Sequence, residues 1–443
     1  MKRLLLIIAA AAAMIFFLLN MNEPKEQKQD LYVATDGNDE NDGSITKPFR
    51  TLTKAASEAE AGTTVHIHEG IYEEQLVIQH SGTKSNGVIF QPYHDEEVIL
   101  SGANIPSEES DTALITIDSK DYVTIKGLTI QDLTTDVTDE TVMGIFVTGS
   151  SSHITLDSNH IQRIETHADD GNGHGIAFYG TEPMKDITVT NNTVQDLKLG
   201  ASEALVLNGN IDGFKIEDNI VRRNDNIGID LIGYEGVAAD QEADYVRNGM
   251  VARNTVHDIS TYGNPAYGEE YNAAGIYVDG GKEITIEENT IYGSDIGIEA
   301  TSEHADQYAE NIEIINNNIY ENFYTGISIG GYDEDRGGTI NSYIGHNILF
   351  RNDTLDLAGG QLMIQHDVKD NTIEKNNLTA GPSSIYIANF FTTNENTTLS
   401  DNVFQIEDGE DGIWIWKDEE YTSFEEFKAA YQGDGTVGEL KVK

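Results

Sequence analysis

The chain has 443 residues, with 27 lysines and arginines against 76 aspartates and glutamates, a formal net charge of −49, and no cysteine. The length provides ample chain for a hydrophobic core, and the lack of cysteine excludes disulfide-stapled folds, thiolate zinc sites, iron–sulfur clusters and cysteine nucleophiles. A charge of −49 would be repelled by phosphate backbones and anionic lipid, so we expect no binding to nucleic acid or to membrane surfaces.

The N-terminus has the pattern of an export signal. Lys2 and Arg3 precede an unbroken apolar run over residues 4–19, and polar residues follow from Asn20 onward. A basic segment followed by an apolar run of this length is typical of such signals and is slightly short for a membrane span. We therefore predict that residues 1–22 are a signal peptide or an N-terminal anchor, and that the protein is secreted or displayed at the cell surface.

A helix is predicted before the main body of the chain. Residues 46–62 (TKPFRTLTKAASEAEAG) place Pro48 near the start of a helical pattern and Gly62 just past its end. A stack of strands exposes open edges at both ends, and a helix can cover one of them. Residues 30–62 are therefore assigned to an N-terminal cap.

The body of the chain is a repeat. A short alternating run, an asparagine, a turn and a Gly-apolar-x-apolar strand recur, with the asparagines at Asn159, Asn192, Asn219, Asn254, Asn289, Asn317, Asn347, Asn376 and Asn402. Strict alternation indicates strands, and units this short can bury their apolar faces only by stacking. The sequence therefore predicts an all-β parallel β-helix of about eleven coils over residues 63–417.

The recurring asparagine has two predicted roles. It tolerates the left-handed backbone conformation at a tight corner. Its amide can also form hydrogen bonds with the asparagines of the coils above and below, which would give a ladder. At the far end, residues 421–431 (YTSFEEFKAAY) have the pattern of an amphipathic helix, so residues 418–443 are predicted to be a C-terminal cap.

The repeat resembles the right-handed parallel β-helix superfamily of secreted polysaccharide-active enzymes, the pectin lyase-like fold. The stretch YVATDGNDENDGSITKPFRTLTKAA, with VHIHEGIYEEQL after it, is similar to the N-terminal segment of many β-helix pectate lyases and glycosidases. This resemblance implies a right-handed coil and a polysaccharide or oligosaccharide substrate.

Acidic residues cluster on the predicted outer surface of the central coils. Apolar positions of each strand face the interior and alternate positions face outward, which places Asp230, Tyr277 and Glu299 in one outward column and Asp279 in the neighbouring column. Carboxyl groups so arranged can approach to about 5–9 Å, the range used by paired-carboxylate glycoside hydrolases, retaining at the short end and inverting at the long end. At least one carboxyl group in such a cluster should have a raised pKa and be able to donate a proton.

Two short motifs carry a second resemblance. The segments IYVDGG (276–281) and GIEATSE (297–303) resemble the catalytic pair of the β-helix β-xylosidase family, although that family has Val-Asn-His where this chain has Ala-Thr-Ser. The resemblance implies that Asp279 is the nucleophile and Glu299 the acid/base, and Asp230 is predicted to assist them. This hydrolase interpretation requires no cofactor.

Further residues are predicted to bind substrate. They are Tyr277, Tyr179, Asn208, Tyr332, Gln365 and His366. Insertions at residues 234–248, 261–272 and 331–338 flank the acidic coils and carry tyrosines that could form the walls of a sugar-binding cleft. By the same alternation, the outward positions of the last two coils are Tyr386 with Ala388 and Trp414 with Trp416. We expect the protein to be a monomer.

Two alternatives stand beside the hydrolase interpretation. The segment NDNIGIDL (224–231) resembles the calcium segment of the β-helix pectate lyases with a lysine base, with Asn226 between Asp225 and Asp230 and with Tyr277 where the lysine would fall. A Ca²⁺-dependent polysaccharide lyase could then hold the ion through oxygen atoms of Asp225, Asp230 and Glu235. The other alternative is a non-catalytic glycan-binding or surface-structural protein, since a chain with 76 acidic residues places carboxylates outward by chance.

Overall fold

The computed structural model describes residues 29–106, 110–406, 411–431 and 437–442. The predicted signal peptide or anchor at residues 1–22 lies outside these residues. In the parts that are described, no helix combines the length and the apolar character required to cross a membrane.

Strands make up most of this structure. In chain order they are β1 (Gln29–Val33), β2 (Thr63–Ile67), β3 (Gly70–Tyr72), β4 (Leu76–Val77), β5 (Val88–Pro92), β6 (Val98–Ser101), β7 (Thr112–Asp118), β8 (Val123–Lys126), β9 (Thr129–Thr135), β10 (Thr141–Thr148), β11 (Thr155–Asp157), β12 (His160–Thr166), β13 (Asn172–Thr190), β14 (Thr193–Leu197), β15 (Leu205–Glu217), β16 (Ile220–Asn224), β17 (Ile229–Ile232), β18 (Val246–Ala252), β19 (Thr255–Ile259), β20 (Ala274–Asp279), β21 (Lys282–Glu287), β22 (Thr290–Tyr292), β23 (Ile296–Thr301), β24 (Tyr308–Ile315), β25 (Asn318–Tyr320), β26 (Thr325–Ile329), β27 (Gly338–Ile340), β28 (Tyr343–Gly345), β29 (Ile348–Phe350), β30 (Leu362–Ile364), β31 (Val368–Lys369), β32 (Thr372–Glu374), β33 (Asn377–Thr379), β34 (Ile385–Ala388), β35 (Thr398–Ser400), β36 (Asn402–Ile406), β37 (Ile413–Trp416), β38 (Glu419–Tyr421) and β39 (Gly438–Val442). The helices are α1 (Leu52–Glu58), α2 (Phe424–Ala430) and a 3₁₀ turn (Gln241–Ala243).

The strands wind into a coil with three faces. The first face runs through β4, β7, β10, β13, β15, β17, β20, β23, β26, β30, β34 and β37. The long strands β13 and β15 bend from the first face into the second, and β3, β6 and β9 begin the third face, a separate sheet. Strand β38 pairs antiparallel with β37, and the other strands described here pair in parallel with the strand one coil away. The chain is therefore the parallel β-helix that the repeat predicts.

The helices are shorter than their predicted segments. Helix α1 begins at Leu52, because the Thr51 hydroxyl accepts a hydrogen bond from the Lys54 backbone N–H and caps the first turn. The residues just before it are held in an extended conformation, since Asp39 accepts hydrogen bonds from the Arg50 and Thr51 backbone N–H groups. Helix α2 begins at Phe424 and packs Phe427 over the last coil.

The asparagine ladder is confirmed. From Asn159 to Asn402, each side-chain amide donates to the Oδ1 atom of the next asparagine at 3.0–3.1 Å. Each Oδ1 also accepts the backbone N–H of the preceding member, as Asn254 Oδ1 accepts from Asn219 N at 3.0 Å. The nine side chains are buried, and none of their amide nitrogen or oxygen atoms is both buried and without a hydrogen-bond partner in the described structure, because every coil supplies the partners for the next.

The predicted left-handed conformation belongs to a different residue. Positive φ angles occur one position before the ladder asparagines, for example at Ser158 (59°), Arg253 (55°) and Glu288 (55°). The preceding residue therefore makes the corner, and the turn directs the asparagine side chain inward where it meets its neighbours. The prediction that asparagine itself occupies the corner is wrong.

The register of the last two coils also differs from the prediction. Tyr386, Trp414 and Trp416 lie in the main core rather than facing outward. The pairing of β34 with β37 shifts between Ile385 and Ile387, which turns Tyr386 inward. Its ring stacks on Trp414 at 5.0 Å, and Trp414 stacks on Phe427 of α2 at 6.0 Å. Large aromatic rings thus fill the open end of the core, where no further coil exists in the described residues to cover it.

Candidate active site

The predicted acidic column is present on the first face. Asp230 of β17 pairs with Tyr277 of β20, and Tyr277 pairs with Glu299 of β23. Asp279 lies two residues beyond Tyr277 on the same strand. The side chains of Asp230, Asp279 and Glu299 point away from the core and yet are only 2%, 3% and 8% exposed. The prediction of a shared column is confirmed, and the residues are more deeply covered than alternation alone implies.

One insertion beside the site is fixed at both ends by a buried aspartate. Asp295 Oδ2 accepts hydrogen bonds from the backbone N–H groups of Thr261 and Ala273, at the two ends of the predicted insertion at 261–272. Tyr267 from this insertion receives a hydrogen bond from the Asn226 amide, and the charge of Asp230 acts on its hydroxyl. The insertion therefore lies beside the acidic column.

Glu303, which the sequence analysis did not single out, connects Tyr277 of the acidic column to Tyr332 of the insertion at 331–338. Its Oε1 accepts a 3.0 Å hydrogen bond from the Tyr277 hydroxyl, and its Oε2 accepts one of 3.1 Å from the Tyr332 hydroxyl. Arg336 forms an ion pair with the same Oε2 at 3.0 Å. The cationic charge of Arg336 is thus already paired with a carboxylate.

Asp279 is oriented by the backbone of this segment. Its Oδ1 accepts a 2.7 Å hydrogen bond from the Glu303 N–H. Burial raises the pKa of Asp279 well above its usual range, and the neighbouring charges of Glu303, Glu235 and Glu299 add to the increase, while the hydrogen bond from Glu303 N acts in the opposite direction. One oxygen is therefore fixed, and a hydrogen-bond donor favours the charged form of this carboxyl group.

Glu299 is held by a short polar chain. The Gln365 amide donates to the Ser328 hydroxyl oxygen at 2.9 Å, and the Ser328 hydroxyl donates to Glu299 Oε1 at 3.2 Å. Burial, together with the charge of Glu303, raises the pKa of Glu299 to about 8. Glu299 therefore retains its proton at neutral pH.

A fifth carboxyl group, Glu203, joins the cluster from the preceding coil. It lies just before β15, and burial raises its pKa to about 8. His174 Nδ1 lies 2.9 Å from the Glu203 backbone carbonyl, and the Tyr179 hydroxyl lies 3.1 Å from His174 Nε2. Because a carbonyl only accepts, Nδ1 carries the proton and the tyrosine hydroxyl donates to Nε2. Burial lowers the pKa of His174 to about 4, which keeps the ring neutral.

Asp230 occupies the middle of the cluster. Burial raises its pKa well above the usual range, and the charges of Glu203, Asp279 and Glu303 raise it further. Its Oδ1 atom has no hydrogen-bond partner, and the same is true of the Oδ1 atom of Asn208. Asn208 pairs with Tyr179 and Ile232, so it lies diagonally beside Asp230 on the first face.

The remaining predicted residues do not all converge on this site. The His366 ring contacts Phe391 and the Thr393 hydroxyl. Glu235 lies at the rim, where it contacts His304 and raises the pKa of Asp279. Asp225 instead accepts a hydrogen bond from the Leu199 N–H, near Lys198.

The predicted calcium ligands therefore do not form one set. Asp230 interacts electrostatically with Glu203 and Asp279, and Glu235 interacts with Glu203. Asp225 instead interacts with Lys198. Among the residues that the structure describes, no group of three or more His, Asp or Glu side chains is arranged to hold a metal ion. The expectation that Asp225, Asp230 and Glu235 converge on one ion is corrected on this geometry.

Known proteins match this chain along most of its length. A family model described as a Pel9A-like right handed beta helix region matches residues 31–227, and one described as a right handed beta helix region matches residues 245–429. The uncharacterized protein YwoF of Bacillus subtilis is 54% identical over 404 residues, which cover 91% of this chain and 86% of the relative. This chain belongs to the right-handed β-helix superfamily and to the same family as YwoF.

More distant matches extend the comparison. Pectate lyase PEL9 of Emericella nidulans is 33% identical over 84 residues, 18% of this chain and 20% of the relative. The GH136 lacto-N-biosidase of Eubacterium ramulus superposes with a TM-score of 0.59 at 12% identity, over 98% of this chain and 70% of that one. A structure described as a glycoside hydrolase gives 0.54 at 11% identity, over 84% and 96% of the two chains. At such identities the structural likeness shows the fold alone.

Proposed function

We propose that this protein is a carbohydrate-active enzyme, and specifically a glycoside hydrolase that uses Asp279 and Glu299 as its catalytic pair. The observation that carries the proposal is their arrangement on adjacent strands of one face, each held by hydrogen bonds on one oxygen. Paired carboxyl groups flanking a scissile bond are what most glycosidases use. The β-helix enzymes named above include hydrolases, which agrees with this proposal.

The two carboxyl groups are assigned different roles. Glu299 has a pKa of about 8, so it is protonated at neutral pH and can donate its proton to the leaving oxygen as a general acid. The carboxyl groups of the cluster cannot all be charged together, and charge is retained where donors favour it. We assign Asp279, whose Oδ1 is fixed by the Glu303 N–H, as the nucleophile, or as the base that activates water if the reaction inverts configuration. Because burial raises its pKa, Asp279 must lose its proton before it can act in either role.

Asp230 and Tyr277 support this pair. Tyr277 lies between Asp230 and Glu299 in the column, and its hydroxyl is directed to Glu303. The negative charge that Asp230 can carry disfavours the loss of the proton from neighbouring carboxyl groups. Tyr267 and Tyr332 from the insertions are the tyrosines that we expect to contact a sugar. Arg336 already lies over one face of the Tyr332 ring, 4.8 Å from its centroid, so the opposite face is the one left for a sugar.

The proposal is tested by an activity screen on neutral, amino-bearing and uronic glycans, with release of reducing ends as the readout. The matched variants Asp279→Asn and Glu299→Gln keep the shape of each side chain and should each reduce turnover by about 10²–10⁴-fold. Glu313→Gln, an exposed glutamate of β24, is the control and should leave turnover unchanged. Full activity in both site variants would contradict the assignment, and the anomeric form of the first product separates retention from inversion.

A second candidate is a polysaccharide lyase. It is favoured by the match of residues 31–227 to the Pel9A-like model and by the short identity with pectate lyase PEL9. A lyase would give unsaturated products that absorb in the ultraviolet, and removal of Ca²⁺ by a chelator would abolish them if calcium were required. If neither hydrolysis nor lyase cleavage of any glycan is detected, the non-catalytic binding or structural alternative would be favoured.

We also propose that the protein works outside the cytoplasm, as a monomer. The basic residues and apolar run of residues 2–19 support export. Fractionation of cells that express the full chain, followed by N-terminal sequencing of the mature protein, would separate a cleaved signal from a retained anchor.

A further inference from the structure

The strands of the first face offer hydrogen-bond acceptors at the site, and several nearby donors already form hydrogen bonds within the protein. These engaged donors are the hydroxyl groups of Tyr179, Tyr277, Ser328 and Tyr332. Each donates to a protein acceptor, so none of them has its single proton available for a ligand. None of these four hydroxyl groups can therefore donate to a substrate, which must supply donors of its own to any acceptor that the site leaves free.

Two buried acceptors are left without a partner in the same place. The Oδ1 atoms of Asn208 and Asp230 have no hydrogen bond, although the residues are only 6% and 2% exposed. An unsatisfied buried acceptor is costly, and such atoms are rare in native proteins. Both side chains point outward from the first face on adjacent strands, β15 and β17. We take them as the position where a ligand donor is received.

The charge of the surrounding groups selects the kind of donor. Glu203, Asp279 and Glu303 all act on Asp230, and each is a carboxyl group. The positive charge of Arg336, which lies in the insertion at 331–338, is already paired with Glu303. The raised pKa values of Glu203, Asp230 and Asp279 indicate that protons neutralise these carboxyl groups when no cation is bound. A cationic ligand can replace those protons, whereas a sugar hydroxyl cannot and a uronate would add negative charge. An ammonium group has three donors and a positive charge, and so it satisfies both requirements.

We propose that the site binds a glycan with free amino groups, and that Asp230 and Asn208 receive one sugar ammonium group between them. The inference rests on the proposed function, because it names the substrate class of the same cleft. Glu203, which the hydrogen bond from His174 to its backbone carbonyl holds in place, adds a further carboxyl group next to Asp230 to face this ammonium group. A uronic acid polymer is disfavoured on the same grounds.

The test measures binding separately from turnover. Calorimetric titrations of Glu299→Gln would compare tetramers of glucosamine and of galactosamine with their N-acetylated counterparts and with a neutral tetramer of glucose. We expect at least one amino-bearing tetramer to bind about tenfold or more tightly than its N-acetylated form, because charge-assisted hydrogen bonds are lost on acetylation. Equal or tighter binding of the N-acetylated or neutral tetramers, or no binding of either amine, would overturn the proposal.

Further substitutions locate the ammonium group. On the same background, Asp230→Asn and, independently, Asn208→Leu should each reduce the preference for the amine about tenfold. Asp225→Asn is the matched control: its carboxyl group is half-buried and also has a raised pKa, but it accepts a hydrogen bond from the Leu199 N–H and should leave the preference unchanged. A preference unaffected by both site variants would contradict the assignment. Binding of the amine by a wild-type protein that cleaves no glycan would refute the hydrolase proposal and leave this inference intact.

Discussion

Two columns of buried polar side chains run along this coil, and they are built in opposite ways. In the asparagine ladder, each side-chain nitrogen donates to the Oδ1 atom of the next asparagine at 3.0–3.1 Å, and this pattern repeats from coil to coil. In the carboxyl column, burial and the charges of Glu299 and Asp230 raise the pKa of Tyr277, and burial raises the pKa of Asp230 itself. The Oδ1 atom of Asp230 has no hydrogen-bond partner. The ladder therefore stabilises the fold, whereas the column retains an energetic cost that a ligand can relieve.

The largest effect is expected from breaking the ladder at its centre. Asn254→Ala removes the amide that donates to the Ile216 carbonyl and to Asn289, and the acceptor used by Asn219. Several buried groups are then unsatisfied, so we expect the free energy of unfolding to fall by about 3 kcal/mol or more. Chemical denaturation measures this change. Asn318→Ala, at an exposed position of β25 without a positive φ angle, is the control. An equal loss in both variants would contradict the role of the ladder.

An intermediate effect is expected from changing the charge of the carboxyl column. Burial raises the pKa of Glu203 from its usual range to about 8, so the folded state binds this proton more tightly than the unfolded state. The resulting stability is complete below the usual range of the carboxyl group and is lost as the pH rises towards 8. Glu203→Gln should therefore be nearly neutral at pH 5 and stabilising by about 1 kcal/mol or more at pH 9.

Thermal unfolding of Glu203→Gln and of the unchanged protein at the two pH values measures this difference. Glu313→Gln, whose side chain is exposed, provides the control for the loss of one negative charge. A stabilisation of equal size at pH 5 and pH 9 would show that the proton on Glu203 is not the cause.

The smallest effect concerns the corner that precedes each ladder asparagine. Glu288 is exposed and has a φ angle of 55°, a conformation that asparagine adopts with less strain than glutamate. Glu288→Asn should raise the free energy of unfolding by about 0.5–1 kcal/mol. Glu287→Asn, at the neighbouring position in β21, is the control and should not stabilise. A loss of stability in Glu288→Asn would contradict this assignment of the corner.

The sequence was sufficient for the fold and for part of the site because both depend on strand alternation. The spacing of the asparagines predicts the ladder, and alternation predicts the column of Asp230, Tyr277 and Glu299. The same rule fails at Tyr386, because the register shift between Ile385 and Ile387 places both Tyr386 and Ile387 in the main core. Alternation gives no account of how the chain closes the end of its core with aromatic rings.

The parts that could not be predicted lie outside the regular strands. Glu203 precedes β15, and Glu303 follows β23, so neither occupies an alternating outward position of a strand. The register that pairs Ile176 with Leu205 also places Glu203 opposite His174, which was the available signal for Glu203. Glu303 reaches Asp279 through its backbone N–H, an interaction that no side-chain pattern encodes.

The ladder also sets what can be changed between its rungs. Neighbouring asparagines are 27 residues apart at Asn192 and Asn219 and 35 apart at Asn219 and Asn254, yet the amide contacts are 3.1 and 3.0 Å. The stacking of one turn on the next is therefore insensitive to how much chain departs and returns in between. Segments such as 261–272 could be exchanged for others of different length and chemistry, and new recognition surfaces could be built on an unaltered scaffold.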